Sequence, residues 1–289
     1  MTNTFPVYGI HKFKASHSHG DFYANFLKSH VDEHHFTNLP HKHDFYLVVL
    51  FTAGKGIHEV DFESYKVSKG SLFIMKPGQM HYWELSDDID GYVFFHSRDF
   101  YDKGFLISGI KDFIFYSSFQ TSPFLKLKNK PFEIVSGLMC EVVKEYTNND
   151  ILKWQKIHAL ITLVYIEIAR LYVPLEIAKN ETYLLKVKKF EDILEDHFKK
   201  LKFPKDYADK LHITEKHLNR ILKDCLNKTS TQIIGERVLL EAKRMLMHSA
   251  NSVTQIADEL GYKDVSYFVR FFKKNTGETP LSFLNKHTR

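Results

Sequence analysis

The stretch Ser252-Val-Thr-Gln-Ile-Ala-Asp-Glu-Leu-Gly261-Tyr-Lys-Asp264-Val-Ser-Tyr-Phe-Val-Arg-Phe-Phe-Lys-Lys274 carries the punctuation of two short helices joined by a tight turn. Ser252 stands where a first N-cap belongs, and Gln255, three residues on, is its capping-box partner. Ala257 is small enough for two helices to cross closely. Gly261, four residues later, can take the positive φ that a tight inter-helix turn demands. Asp264 is a second N-cap. Beyond it Phe268 and Phe272 lie four apart, with Val265 and Phe271 beside them. Ser266, Arg270 and Lys273 repeat at i, i+4, i+7 on another face. One side is apolar and bound for a core. The other is polar and basic, with the dimensions of a helix that enters a DNA groove.

The same logic recurs upstream in Tyr207-Ala208-Asp-Lys-Leu-His212-Ile-Thr214-Glu-Lys-His-Leu-Asn-Arg-Ile-Leu-Lys223. Ala208 corresponds to Ala257 and Thr214 is the cap. Leu218, Ile221 and Leu222 form the core face. Lys216, Arg220 and Lys223 form the outward stripe, with Asn219 adjacent. His212 stands where the second unit has glycine. Non-glycine residues rarely adopt positive φ, so a looser or differently shaped turn is expected there. Between the units, Thr231 to Ser249 predicts a long helix with Ile234, Val238, Ala242 and Met245/Leu246 on one side, which would hold the pair at a fixed spacing. Any short helical hairpin can imitate one such unit. Two in tandem are far more specific, and they lie in the basic end of the chain. Residues 183–289 hold 21 Lys+Arg against 14 Asp+Glu, and residues 1–182 hold 19 against 21. A cationic segment of this kind suits a polyanionic partner.

The N-terminal part follows a different period. Asp44-Phe-Tyr-Leu-Val-Val-Leu-Phe51 is rich in aromatic and β-branched residues and stops at Ala53-Gly54-Lys55-Gly56. His58 to Phe62 alternates, Ser71 to Met75 ends at Pro77-Gly78, and Gly91 to His96 is a further strand. Short strands at this spacing predict a small barrel or sandwich. From about Pro131 the period becomes helical, through Phe132, Val135, Leu138/Met139, Val142/Val143 and Tyr146. It breaks at Thr147 to Asp150 and resumes from Ile151 to about Val173, where Pro174 ends it. This hairpin can serve as a dimer interface or simply cover the barrel, since both use the same apolar faces. The expected organisation is a barrel at 1–130, a helical hairpin at 131–173 that dimerises the protein, a linker at 174–182 and an all-helical domain at 183–289. The two helix-turn-helix units fall at 206–224 and 253–274.

The composition narrows the rest. The two cysteines, Cys140 and Cys225, form no CxxC pattern, which argues against a disulfide framework or a thiolate metal site. Residues 1–20 lack a signal peptide's apolar stretch. The most apolar segment, Ile157 to Pro174, is broken by Glu167 and Arg170 and is too short to span a bilayer. The expectation is a cytoplasmic protein without a membrane partner.

Residues 183–289 resemble the DNA-binding domain of the AraC/XylS family of bacterial regulators. Ile256 to Pro280 is similar to that family's signature nearly throughout. After Pro280 and Phe283 the family often has Arg, and Leu284 stands here. The resemblance implies that each unit places its second helix in successive major-groove segments of double-stranded promoter DNA, about one turn or ~34 Å apart. Carried over by position, Lys216, Asn219 and Arg220 face bases from the first unit with His217 nearby, and Ser266, Tyr267 and Arg270 do so from the second. Arginine can donate two hydrogen bonds to guanine, and asparagine can pair with adenine. Lys223, Lys273 and Lys274 are placed to neutralise phosphates. The family is mostly activating, so an activator is expected, with RNA polymerase as a further partner.

Eleven of the 17 histidines precede residue 101. His41-Lys42-His43 on a strand would put two imidazoles on one face, and Pro77-Gly78-Gln79-Met80-His81 supplies a third. This pattern resembles the cupin barrel, which with a following hairpin is the usual effector domain of many AraC-type regulators. Metal-binding cupins usually add a Glu four residues after the second His of the HxH. Leu47 occupies that place, so the expectation is an effector pocket lined by His41, His43, Phe45 and His81, polar at one end and aromatic elsewhere, with no metal and no cofactor. Residues that merely fill the barrel are the plainer alternative. A metal-dependent cupin enzyme with a helical appendix is the competing reading, decided by metal content. A regulator whose barrel only mediates assembly is a third. His11, His17, His19, His30, His34 and His35 are expected at the surface. The expected class is α+β multidomain: a cupin-like barrel with a helical hairpin, then an all-α domain with two helix-turn-helix motifs, acting as an effector-responsive DNA-binding regulator and not as an enzyme.

Overall fold

The structure, a computed structural model, describes residues 6–13, 20–34, 39–104, 109–117, 121–172, 181–248 and 251–287. Most of the expected linker, 174–180, lies outside them, as do His17, His19, His35 and Ser249. The chain divides into one compact unit at Phe5–Pro174 and a second that holds Leu175–Arg289.

The first unit is built from two five-stranded sheets. One runs in the order β1 (Val7–Tyr8), β3 (His41–His43), β8 (Met80–Leu85), β5 (Gly56–Val60), β6 (Glu63–Val67). The other runs β10 (Phe124–Lys126), β7 (Ser71–Met75), β4 (Tyr46–Ala53), β9 (Asp90–His96), β2 (Phe22–Phe26). Strand β4 is central, antiparallel to both β7 and β9. Its sequence reads as an unbroken apolar run because both of its faces are covered. Phe45, Leu47, Val49 and Phe51 belong to an interior core with Phe13, Tyr23, Phe73, Trp83 and Phe95. Tyr46, Val48 and Leu50, pointing the other way, join Leu72, Ile74 and Phe94 in a second core.

That second core is completed by the helical hairpin. Helices α1 (Leu27–Glu33), α2 (Arg98–Gly104) and α3 (Ile114–Ser117) are short. Helices α4 (Asn129–Thr147) and α5 (Lys153–Tyr172) are the hairpin. Val135, Met139 and Val142 of α4, with Ile157, Ile161, Val164 and Ile168 of α5, pack on the outer face of the β4 sheet. These faces of the hairpin cover the barrel.

The second unit is all-helical: α6 (Glu181–His197), α7 (Pro204–Lys210), α8 (Glu215–Leu226), α9 (Ser230–His248), α10 (Val253–Glu259), α11 (Val265–Thr276) and α12 (Pro280–His287). At 1.5 Å per residue α9 is about 28 Å long. It buries Ile234, Val238, Ala242, Met245 and Leu246 along one side. Arg237, also buried, pairs with Glu195 at 2.8 Å and Glu241 at 3.0 Å and lies over the Phe198 ring, tying α9 back to the end of α6.

Candidate DNA-binding face and barrel interior

In the second helix-turn-helix unit the caps form as their chemistry dictates. Ser252 Oγ accepts from the Gln255 amide, and Gln255 Oε1 accepts from the Ser252 amide at 2.7 Å. Asp264 Oδ1 accepts from the Ser266 amide at 2.8 Å. Each cap contributes about 1 kcal/mol. Gly261 takes φ 77°. Its amide donates to Asp258 O, and the Tyr262 amide donates to Ala257 O. Phe268 and Phe272 are fully buried, while Ser266, Tyr267, Arg270, Lys273 and Lys274 are exposed. Among the described residues, Arg270 pairs only with Asp264, at 4.0 Å.

The first unit closes its turn the same way. His212 stands at φ 53°, its amide donating to Asp209 O, and the Ile213 amide donates to Ala208 O at 3.0 Å. The looser turn expected at His212 is therefore not what forms. The two turns share one hydrogen-bond pattern, and His212 bears the left-handed conformation that glycine takes in the second unit. Thr214 Oγ1 caps α8 through the His217 amide.

The outward residues of α8 are not equivalent. Lys216, Arg220 and Lys223 are exposed and, with Thr229 and Thr231, line an open cleft at the start of α9. Asn219 is half-buried, and its Oδ1 accepts from both the amide and the hydroxyl of Ser230, at 3.0 and 2.9 Å. It caps α9, which stands against the base-facing role that the resemblance implies. A bidentate contact to adenine needs that same oxygen. His217 is met by Arg220 at Nδ1 (2.9 Å) and by Lys186 at Nε2 (3.2 Å). A neutral imidazole has one acceptor nitrogen, so the two cations compete for it. Half-buried, His217 is pushed below the ordinary histidine range by its partial desolvation, with Lys186 and Arg220 adding to the effect. Its position orients Arg220.

In the first unit the four residues expected to form a pocket come together. His41 pairs across the strands with His81, and His41, His43, Phe45 and His81 are all buried. The His41, His43 and His81 rings lie with centroids 4.4 to 4.7 Å apart, and Phe45 stacks on His43 at 4.3 Å. A residue not singled out from the sequence joins them. His58 of β5 is fully buried, and its Nε2 meets His81 Nδ1 at 2.8 Å. Strand alternation places His58 inward with Val60, and this was the signal available. His30 and His34 are corrections: both are buried, not at the surface. The His30 ring stacks on Phe13 and its Nδ1 meets the Tyr23 hydroxyl, while His34 Nδ1 donates to His30 O. His11 is exposed.

Burial holds these imidazoles neutral. His41 is lowered to about 4 and His58 to about 3, chiefly by desolvation, and His43 and His81 lie well below the ordinary range for the same reason. Neutral rings carry one N–H each, and the protons can be counted. His41 Nδ1 donates to Leu39 O at 2.6 Å, so His41 Nε2 is a bare lone pair. His81 bridges His43 and His58, two hydrogen bonds that use two of the remaining three protons. The third proton stays at an outer nitrogen of His43 or His58. Among the described residues, His41 Nε2, His43 Nδ1 and His58 Nδ1 are all buried without a partner. Unpaired buried polar groups cost about 1–3 kcal/mol each.

The geometry defines a class: a ligand-binding barrel joined in one chain to a tandem helix-turn-helix domain, the arrangement of a DNA-binding transcriptional regulator. Comparison with known families agrees. The family described as AraC-like ligand binding domain matches residues 26–98, and that described as helix-turn-helix domain matches residues 207–286. The chain belongs to the AraC family of transcription regulators. The HTH-type transcriptional activator RhaS of Escherichia fergusonii is 25% identical over 250 residues, covering 83% of this chain and 85% of that protein. The HTH-type transcriptional activator RhaR of Mannheimia succiniciproducens is 23% identical over 250 residues, covering 85% and 87%. Among solved structures, fatty-acid-bound ToxT of Vibrio cholerae is 14% identical over 93% of this chain and 97% of that one, with a TM-score of 0.43, too loose a likeness to argue from. No described helix is long and apolar enough to cross a membrane.

Proposed function

We propose that this protein is an effector-responsive transcriptional activator that reads double-stranded promoter DNA with α8 and α11. The observation that carries the reading is α11. It is capped at Asp264 and held from behind by Phe268 and Phe272, and it presents Ser266, Tyr267 and Arg270 outward. Those three residues meet base edges, and Lys216 and Arg220 do so from α8. Lys223, Lys273 and Lys274 neutralise phosphates, setting affinity and register. The effector acts at the His41, His43, Phe45 and His81 end of the barrel. Two copies pair on paired half-sites, and contact with RNA polymerase in the cytoplasm follows promoter binding. The names of RhaS and RhaR support activation over repression. The protein acts by binding and not by catalysis.

The test is Arg270→Ala, measured on a promoter fragment recovered by genome-wide mapping of bound sites. Loss of a bidentate contact to guanine costs about 1–3 kcal/mol, roughly five- to 150-fold in affinity, with relaxed preference at one base position. Unchanged affinity and unchanged preference would overturn the assignment.

A further inference from the structure

The Leu47 that stands where a carboxylate would complete a familiar metal set is part of the apolar interior, buried between Phe45 and Val49. That removes one ligand but leaves three. The structure adds two features that sequence spacing did not carry. Leu39 O accepts from His41 Nδ1, and His58 Nε2 meets His81 Nδ1. At His41 the second ring nitrogen is engaged by an acceptor, which leaves its Nε2 as a lone-pair donor; His58 Nε2 does the same for His81 in the tautomer that carries the proton at His81 Nδ1. Outer-shell acceptors of this kind fix the tautomer and orientation of metal-bound imidazoles. Phe45, stacked on His43, fixes the third ring.

We infer that His41, His43 and His81 form a binding site for a divalent transition-metal cation inside the barrel, with His58 and the Leu39 carbonyl as positioning groups. One ligand nitrogen from each of the three lies within 4.8 Å of the others. Around an ion with bonds of 2.0–2.1 Å, tetrahedrally arranged nitrogens lie about 3.4 Å apart. His43 Nε2 and His81 Nε2, now 2.5 Å apart, must open, and the widest pair must close. Both are ring movements on the order of 1 Å. An ion takes up the lone pair at His41 Nε2, which is otherwise buried without a partner. It also replaces the His43–His81 hydrogen bond, and the His81 Nδ1 proton then points to His58 Nε2. Three imidazoles suit zinc, nickel, copper or iron and leave a further coordination position open. This site gives the sensing barrel of the proposed regulator a chemical class of ligand, and it rests on that reading only for its regulatory meaning.

The full-length protein, stripped with a chelator and dialysed, is titrated with Co2+ and followed by visible absorption, then challenged with Zn2+. The expected result is one equivalent per chain with nitrogen-coordinated ligand-field bands, abolished by Zn2+. His41→Gln and His43→Gln each weaken binding at least tenfold, and His58→Gln weakens it roughly ten- to 100-fold, while His30→Gln leaves it unchanged. X-ray absorption on the zinc-loaded wild type counts imidazole ligands without any variant, so misfolding of a substituted barrel does not decide the matter. No saturable binding by the folded wild type, fewer than three imidazoles, or binding undiminished in the His41→Gln/His43→Gln double variant overturns the site. Promoter binding by the metal-free protein is measured in parallel. If DNA is bound and metal is not, this inference alone falls; if metal is bound and Arg270→Ala has no effect, the DNA assignment falls instead.

Discussion

At the two inter-helix turns, a histidine at φ 53° and a glycine at φ 77° occupy equivalent places. An L-residue with a side chain is strained there by about 1–2 kcal/mol, while glycine is not. His212→Gly is therefore expected to raise the stability of the helical unit by up to about 1 kcal/mol, after the loss to glycine's greater freedom when unfolded. Gly261→Ala is expected to cost more than about 2 kcal/mol, because its Cβ would also overlap the Lys199 carbonyl oxygen. Chemical unfolding of the three proteins checks both signs. A destabilised His212→Gly would show that the imidazole makes a contact worth more than the strain.

Among the elements, the second helix-turn-helix unit was legible almost entirely, since its caps, turn and faces depend on residues within four positions of each other. Ser252 with Gln255, Gly261, Asp264, and Phe268 with Phe272 all do what local chemistry requires. Asn219 was not legible, because its partner Ser230 lies eleven residues on, across a helix end. Periodicity sets Asn219 beside the outward stripe of α8; the fold draws it to the N-terminus of α9. Asn219→Ala should cost the helical unit about 1 kcal/mol and leave base preference along the operator unaltered. A shifted preference at one base pair, with stability intact, would restore the base-reading role. The buried histidines were partly legible. His41, His43 and His81 follow from alternation and a turn. His30 lies on the seven-residue helix α1, too short to show a period, and was read as surface.

For the molecule as a whole, buried neutral histidines make the barrel unit sensitive to acid. His30 is lowered to about 3 and His96 to about 4, both chiefly by burial. His30 faces Tyr23 and His34, with His41 adding to its depression. His96 faces Tyr165, with His158 lowering it further and Ser97 O and Asp102 opposing. The unfolded chain protonates both below about pH 6.5 while the fold keeps them neutral, so the unfolded state binds more protons and stability drops as the solution is acidified. The loss begins near 6.5 and ends near 4 for His96 and near 3 for His30. Each contributes up to about 1.4 kcal/mol per pH unit across its window. Calorimetry of the full chain from about pH 7 to about pH 5 should show the transition of residues 5–174 moving down. A transition that does not move would contradict the neutral assignment.

The strand buried on both faces sets what can be exchanged between regulators. Residues Tyr46 to Ala53 face aromatic side chains within and the α4–α5 hairpin without. A chimera that grafts the barrel onto a foreign hairpin must match two interfaces at once, and one cut near residue 130 strips a sheet of its cover. The sensing module is therefore transplantable only as one piece ending beyond Tyr172. Changes in the hairpin and in the outward residues of the sheet should be inherited together, as the two halves of a single lock.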